Sequence, residues 1–107
     1  KMASGILGQS ALAATTNTTV YTVPASTHAV VNVSILNRSA SAAATIRLAL
    51  STTGSPTNAE WIEYDVSLPK NGILERTAIS LNATKNIVAY ASSSEISVSV
   101  YGIEQAV

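Results

Sequence analysis

The segment Trp61–Leu68 constrains this chain more than any other. Ile62, Tyr64, Val66 and Leu68 alternate there with Glu63, Asp65 and Ser67. Successive side chains of an extended strand point to opposite faces, so a period of two sends one set to a core and the other outward. The same period recurs along the chain. Val31, Val33 and Ile35 alternate with Asn32 and Ser34 in 28–37, and Ile46, Leu48 and Leu50 with Thr45, Arg47 and Ala49 in Ala44–Ser51. Thr77, Ile79 and Leu81 are in step within Ile73–Leu81, and Ile96, Val98 and Val100 alternate with Ser97, Ser99 and Tyr101 in 95–103. Residues 18–23 and Asn86–Ala91 are shorter runs of the same kind, and helical periodicity is weak throughout.

Turn residues separate these runs: Pro24-Ala25-Ser26-Thr27, Asn37-Arg38-Ser39-Ala40, a loop holding Gly54, Ser55 and Pro56, Pro69-Lys70-Asn71-Gly72, residues 82–86 and Ser92-Ser93-Ser94. Proline presets φ for a turn, and Asn-Gly tolerates positive φ. Short strands at roughly 8–14-residue spacing mark an all-β sandwich. The expected fold is therefore a single β-sandwich, jelly-roll or Ig-like, of seven or eight mainly antiparallel strands. Val33, Ile35, Ile46, Leu48, Ile62, Tyr64, Val66, Ile79, Leu81, Val98 and Val100 are its expected core. The sandwich domain spans 13–107. Residues 1–12 read as an extended arm, with Gly5 and Gly8 for reach and Ile6, Leu7 and Leu12 as its large aliphatics. Such an arm can pair as an edge strand, including with a neighbour's sheet. Met2 is the expected natural start.

Composition narrows the function. Only 11% of the 107 residues are charged, against a usual share of roughly 25%, and Ser, Thr and Ala fill the deficit. A surface so poor in charge tends to associate, which favours a life in an assembly. The formal net charge is zero, and six scattered Lys and Arg make no basic patch, so nucleic acid is not the expected partner. No apolar run approaches the ~18–20 residues of a membrane span, and no basic-then-apolar leader opens the chain. Cysteine is absent, which removes disulfides and thiolate metal sites and fits assembly in the cytosol as well as secretion without disulfides.

Groups able to do chemistry are few. His28 is the sole histidine and Asp65 the sole aspartate. A Ser–His–Asp triad would need both, and no Gly-x-Ser-x-Gly element surrounds a serine. Glu60, Glu63, Asp65 and Glu75 are the carboxylates that a glycosidase or a Ca²⁺ site would draw on. Glu63 and Asp65, two apart in a strand, are expected on one outward face, where solvation explains them more simply. No enzyme activity, metal or cofactor is expected. Trp61 and Tyr101 fall on the phase opposite to the aliphatics of their strands, so they are candidate contacts for a protein partner or a glycan; Trp and Tyr are favoured anchors at protein interfaces. With Ile6, Leu7, Gln9 and Leu12 of the arm they make up the expected partner-binding set. Arg38, Arg47 and Arg76 are candidate ion-pair donors across such an interface. Sequons at Asn17, Asn32, Asn37 and Asn82 follow from the abundance of Ser and Thr.

One series of motifs is familiar. Gly5-Ile6-Leu7-Gly8-Gln9 leads into Thr18-Thr19-Val20-Tyr21-Thr22-Val23-Pro24-Ala25, then residues 31–36 and Asn37-Arg38-Ser39-Ala40-Ser41-Ala42. This resembles small virion structural proteins of tailed bacteriophages, including cyanophages, and the likeness extends weakly through Tyr90-Ala91-Ser92 to the last strand. The resemblance implies a capsid-associated or fibre-associated role; the first reading is a capsid decoration or cement protein assembled in a bacterial cytoplasm and held to the major capsid protein or another virion protein. It also implies a homo-oligomer, a trimer before a dimer, and brings no catalytic residue with it. The second reading is a tail or fibre module that binds a host-surface glycan through Trp61 and the tyrosines.

Overall fold

Alternation of β-branched and small polar residues builds eight strands, and the computed structural model describes them over residues 3–107. They are β1 (Ser4–Ala11), β2 (Thr18–Thr22), β3 (Thr27–Asn37), β4 (Ala44–Ser51), β5 (Trp61–Leu68), β6 (Ile73–Leu81), β7 (Asn86–Ala91) and β8 (Ile96–Ala106), with one 3-10 turn at Asn58–Glu60. The expected start at Met2 lies outside the described residues. Residues 4–11 of the expected arm are β1, a strand of the sandwich itself.

The strands form two four-stranded antiparallel sheets in the orders β1-β8-β3-β6 and β2-β7-β4-β5. Pairing thus runs 1 with 8, 2 with 7, 3 with 6 and 4 with 5, as if one long hairpin had been wrapped upon itself. That is the jelly roll, and it removes the Ig-like alternative, whose strand order differs. Val31, Val33, Ile35, Val98 and Val100 of the first sheet face Ile46, Leu48, Ile87 and Ala89 of the second, and all are buried. Each fully buried Val, Ile or Leu contributes roughly 1.5–3 kcal/mol, so an aliphatic core suffices without phenylalanine.

Two expected core residues lie outside. Ile62 is 41% exposed and Tyr64 56%. The cause is a pair of β-bulges in β5. Val66 opposes Ile46, but Glu63 opposes Leu48 and Trp61 opposes Ala49. Each extra residue reverses the phase of what precedes it. Val66 and Leu68 keep the inward phase, Glu63 takes it next, and Tyr64 and Asp65 straddle the bulge on the outward side with Asp65 at φ 53°. Glu63 and Asp65 therefore do not share a face, contrary to expectation. Glu63 meets Arg76 of β6, an ion pair that ties the two sheets along one side.

The bulges follow a pattern. An extra residue interrupts β1 at Leu7, β2 at Val20, β6 opposite Asn32 and β5 twice. All four are edge strands, whereas the inner pairs β3·β8 and β4·β7 run in unbroken register.

Asn37 ends β3 and is fully buried. Its Nδ2 donates to the carbonyls of Ala42 (3.0 Å), Leu68 (3.1 Å) and Pro69 (3.3 Å), and its Oδ1 accepts from the Ser39 amide at 3.0 Å. One side chain thereby fastens the β3–β4 crossover to the β5–β6 turn. That turn is the expected Pro69-Lys70-Asn71-Gly72, with Asn71 at φ 57° and the Gly72 amide on the Pro69 carbonyl at 2.8 Å.

Candidate functional site

The outer face of the first sheet is almost free of charge. Cross-strand rows place Ile6 beside Tyr101 beside Asn32, Ser4 beside Ile103 beside Val30, and Gln9 beside Ser99 beside Ser34. Glu75, at the β6 end of the Gln9 row, is the carboxylate in these rows. Ile6 is 68% exposed and Ile103 47%. Gln9 Nε2 donates to Ser99 Oγ at 3.2 Å, and Asn32 Oδ1 accepts the Ala78 amide at the β6 bulge. A shallow open depression lies between β1 and β8 beside Gln9 and Ser99.

Of the expected partner residues, Ile6, Gln9 and Tyr101 meet on this face. Leu7 does not, because the β1 bulge turns it inward against the core. Leu12 is only 2% exposed and belongs to the core, its amide bonded to the Ile96 carbonyl at 2.9 Å. Trp61 lies on the outer face of the other sheet, so it shares no surface with Tyr101.

That second face carries a cluster built around Arg47. The β4·β7 register puts Arg47 beside Tyr90, and the β5 bulge brings Tyr64 and Asp65 opposite. The guanidinium carbon lies 4.2 Å from the Tyr64 ring centroid, 4.3 Å from that of Tyr90 and 6.0 Å from that of Trp61. Trp61 and Tyr64 stack edge to face with centroids 5.4 Å apart. Arg47 Nε donates to Asp65 Oδ1 at 2.6 Å and Nη2 to Oδ2 at 3.4 Å. The hydrogen bond to Asp65 raises the already high pKa of Arg47. Cation–π contacts and a two-pronged ion pair thus link five side chains into one cluster. Sequence reasoning found Trp61 but missed this constellation. Arg47 and Tyr90 carry outward phases in their own strands, yet their adjacency depends on a pairing of strands about forty residues apart.

The remaining candidates are spoken for within the chain. Arg76 pairs with Glu63, and Arg38 Nη2 donates to the Ser94 carbonyl at 2.9 Å. His28 Nε2 lies 2.8 Å from Ser80 Oγ on the first sheet, while Asp65 sits on the outer face of the second beside Arg47. Among the described residues, no three His, Asp or Glu side chains converge as metal ligands. Tyr21 of β2 donates its phenol to Glu104 Oε2 of β8 at 2.6 Å, a second tie between the sheets, and burial followed by that hydrogen bond raises its pKa.

Glu60 organises the β4–β5 loop above the second face. Its carboxylate accepts from the Thr57 amide at 2.8 Å, the Thr52 amide at 2.9 Å and Ser51 Oγ at 3.0 Å. The Thr57 amide and then the Thr52 amide hold its pKa down to about 2, from an ordinary 4.5. A depressed carboxylate pKa stabilises the fold above the unfolded value, and this contribution is lost as pH falls from 4.5 towards 2. Glu60→Gln should therefore melt below the wild type at pH 6, and the gap should close by about pH 2 in paired thermal melts. A gap independent of pH would refute this role for the charge.

Comparison with protein-family models, curated proteins and solved structures finds no match for this chain.

Proposed function

We propose that this protein is a non-enzymatic structural component of a phage particle, a decoration or cement protein that binds the outside of the capsid and reinforces it. The observation that carries the reading is the charge-poor outer face of the β1-β8-β3-β6 sheet, with Ile6, Val30, Tyr101 and Ile103 adjacent on β1, β3 and β8. Singly exposed aliphatics are ordinary, but a contiguous patch on a rigid sheet is the composition of a contact surface. The resemblance supplies the partner: the major capsid protein or another virion protein, met on a shell assembled in the bacterial cytoplasm. Closed association of copies, as a trimer, buries the same patch in each subunit. A ligand that binds only the assembled shell stabilises it by mass action. β1 contributes through the outward side chains Ile6 and Gln9, while one side of its backbone is paired with β8.

The test combines binding with imaging. Purified protein is added to shells that lack it, and the decorated shells are reconstructed by cryo-electron microscopy. The expected result is copies distributed over the head with Ile6 and Tyr101 against the shell or a sister copy. Copies confined to the tail would refute the reading. A charge buried unpaired at such a contact costs several kcal/mol. Ile6→Glu combined with Tyr101→Glu should therefore lower occupancy at least about tenfold while the isolated protein still melts cooperatively.

A further inference from the structure

We propose that the cluster of Arg47, Tyr64, Tyr90, Trp61 and Asp65 on the opposite sheet is a binding site for a neutral glycan. This inference is independent of the capsid reading, which uses the other face. Three observations favour a sugar over a protein partner. The cation of Arg47 is already neutralised by Asp65, so the site offers no net charge to an anionic ligand. The Asp65 side chain is nonetheless 47% exposed, beside an Arg47 side chain that is 24% exposed. An acceptor and a donor lie side by side there, which suits the adjacent hydroxyls of a pyranose. Tyr64 is more than half open to solvent and is held by the guanidinium on one side and Trp61 on another. A pinned aromatic surface can take the C–H face of a sugar ring without losing side-chain freedom. On one side of the cluster the next outward row pairs Thr45 with Ser67, hydroxyls that a sugar can hydrogen-bond, while on the other side Ala49 and Val88 are fully buried in the row of Trp61.

The double bulge of β5 makes the site possible. It carries Tyr64 out of the core phase and places Asp65 in the left-handed region, φ 53°. Aspartate is one of the few non-glycine residues that adopts that region readily, so the bulge is tolerated here.

Trp61 is the chain's single tryptophan, so its fluorescence reports on this site alone. The experiment titrates the whole protein with neutral hexasaccharides of glucose, galactose, mannose and N-acetylglucosamine, each to about 10 mM, since simple sugar contacts reach Kd values on the order of 1 mM. The expected result is saturable change in Trp61 emission with at least one of them. Tyr64→Ala and Asp65→Asn should each weaken it about tenfold or more, while Tyr64→Phe, which keeps the ring, retains it. Asn tolerates positive φ, so Asp65→Asn removes the carboxylate without forcing the bulge. Circular dichroism melts confirm that each variant is folded. No saturable change with any of the four, or binding untouched by Tyr64→Ala, overturns the proposal. Self-association abolished by Tyr64→Ala, measured by sedimentation, overturns it equally, because the face would then be an interface between copies. Ile6→Glu leaves the titration unchanged, which separates this outcome from failure of the capsid reading.

Discussion

Gly102→Ala should destabilise the fold strongly. A Cβ at this position would lie 2.1 Å from the Val30 carbonyl oxygen and 2.8 Å from the Val31 Cα. Both obstacles are backbone of β3, the inner strand paired with β8. β3 cannot retreat, because β6 holds its other side and Asn37 anchors its end. Overpacking that falls on fixed backbone sits at the upper end of its usual cost, about 3 kcal/mol or more. A domain of this size has roughly 5–15 kcal/mol in all, and each kcal/mol is worth ~4–8 °C in Tm. The variant should melt on the order of 12 °C or more below the wild type, or be recovered only as insoluble protein. Gly54→Ala is the control, since the nearest atom to its Cβ is Thr19 Oγ1 at 3.4 Å, an ordinary contact. A Gly102→Ala variant that melts with the control would show that β3 and β8 are not in this register.

Asn37→Ala should cost nearly as much by a different route. The substitution leaves the Leu68 carbonyl and the Ser39 amide without their partner at a buried position, and the Ala42 and Pro69 carbonyls without theirs at a partly buried one. Each buried polar group so stranded costs ~1–3 kcal/mol. Relaxation and water entry will recover part of the total, which leaves a loss of roughly 3–5 kcal/mol. Urea titration checks it: the midpoint should fall sharply with little change in slope, since the surface exposed on unfolding is the same. A loss below about 1 kcal/mol would mean that the crossover and the β5–β6 turn are held by something other than this side chain.

Asn37 shows how far the sequence was legible. Asn-Arg-Ser-Ala was readable as a turn, yet nothing local says that the asparagine faces inward and binds a turn some thirty residues away. The strands themselves were readable, since each announces itself within its own eight or so residues by alternation. Long-range pairing was not: β1 lies against β8 across almost the whole chain, so the apparent arm is a strand and Leu12 is core. Phase was readable only where no bulge intervened. In β4 and β8, which have none, Ile46, Leu48, Val98 and Val100 are buried as expected. In β5 an insertion of one residue leaves no trace in an apolar–polar pattern. Asp65, a residue that tolerates positive φ, was the faint signal. The Ala78 bulge in β6, at φ 57°, has none. The Arg47 cluster was hidden for the same reason, because it exists only once the bulge has moved Tyr64 outward.

The confinement of every bulge to an edge strand has a consequence for how copies behave when crowded. A flat edge offers the next chain a ready template, and many identical all-β bodies at high local concentration invite strand-by-strand annealing into fibres. Here each of the four open ladders is broken by at least one extra residue, so an approaching strand can match only a few hydrogen bonds before it falls out of step. Identical molecules can therefore stand shoulder to shoulder without zipping together.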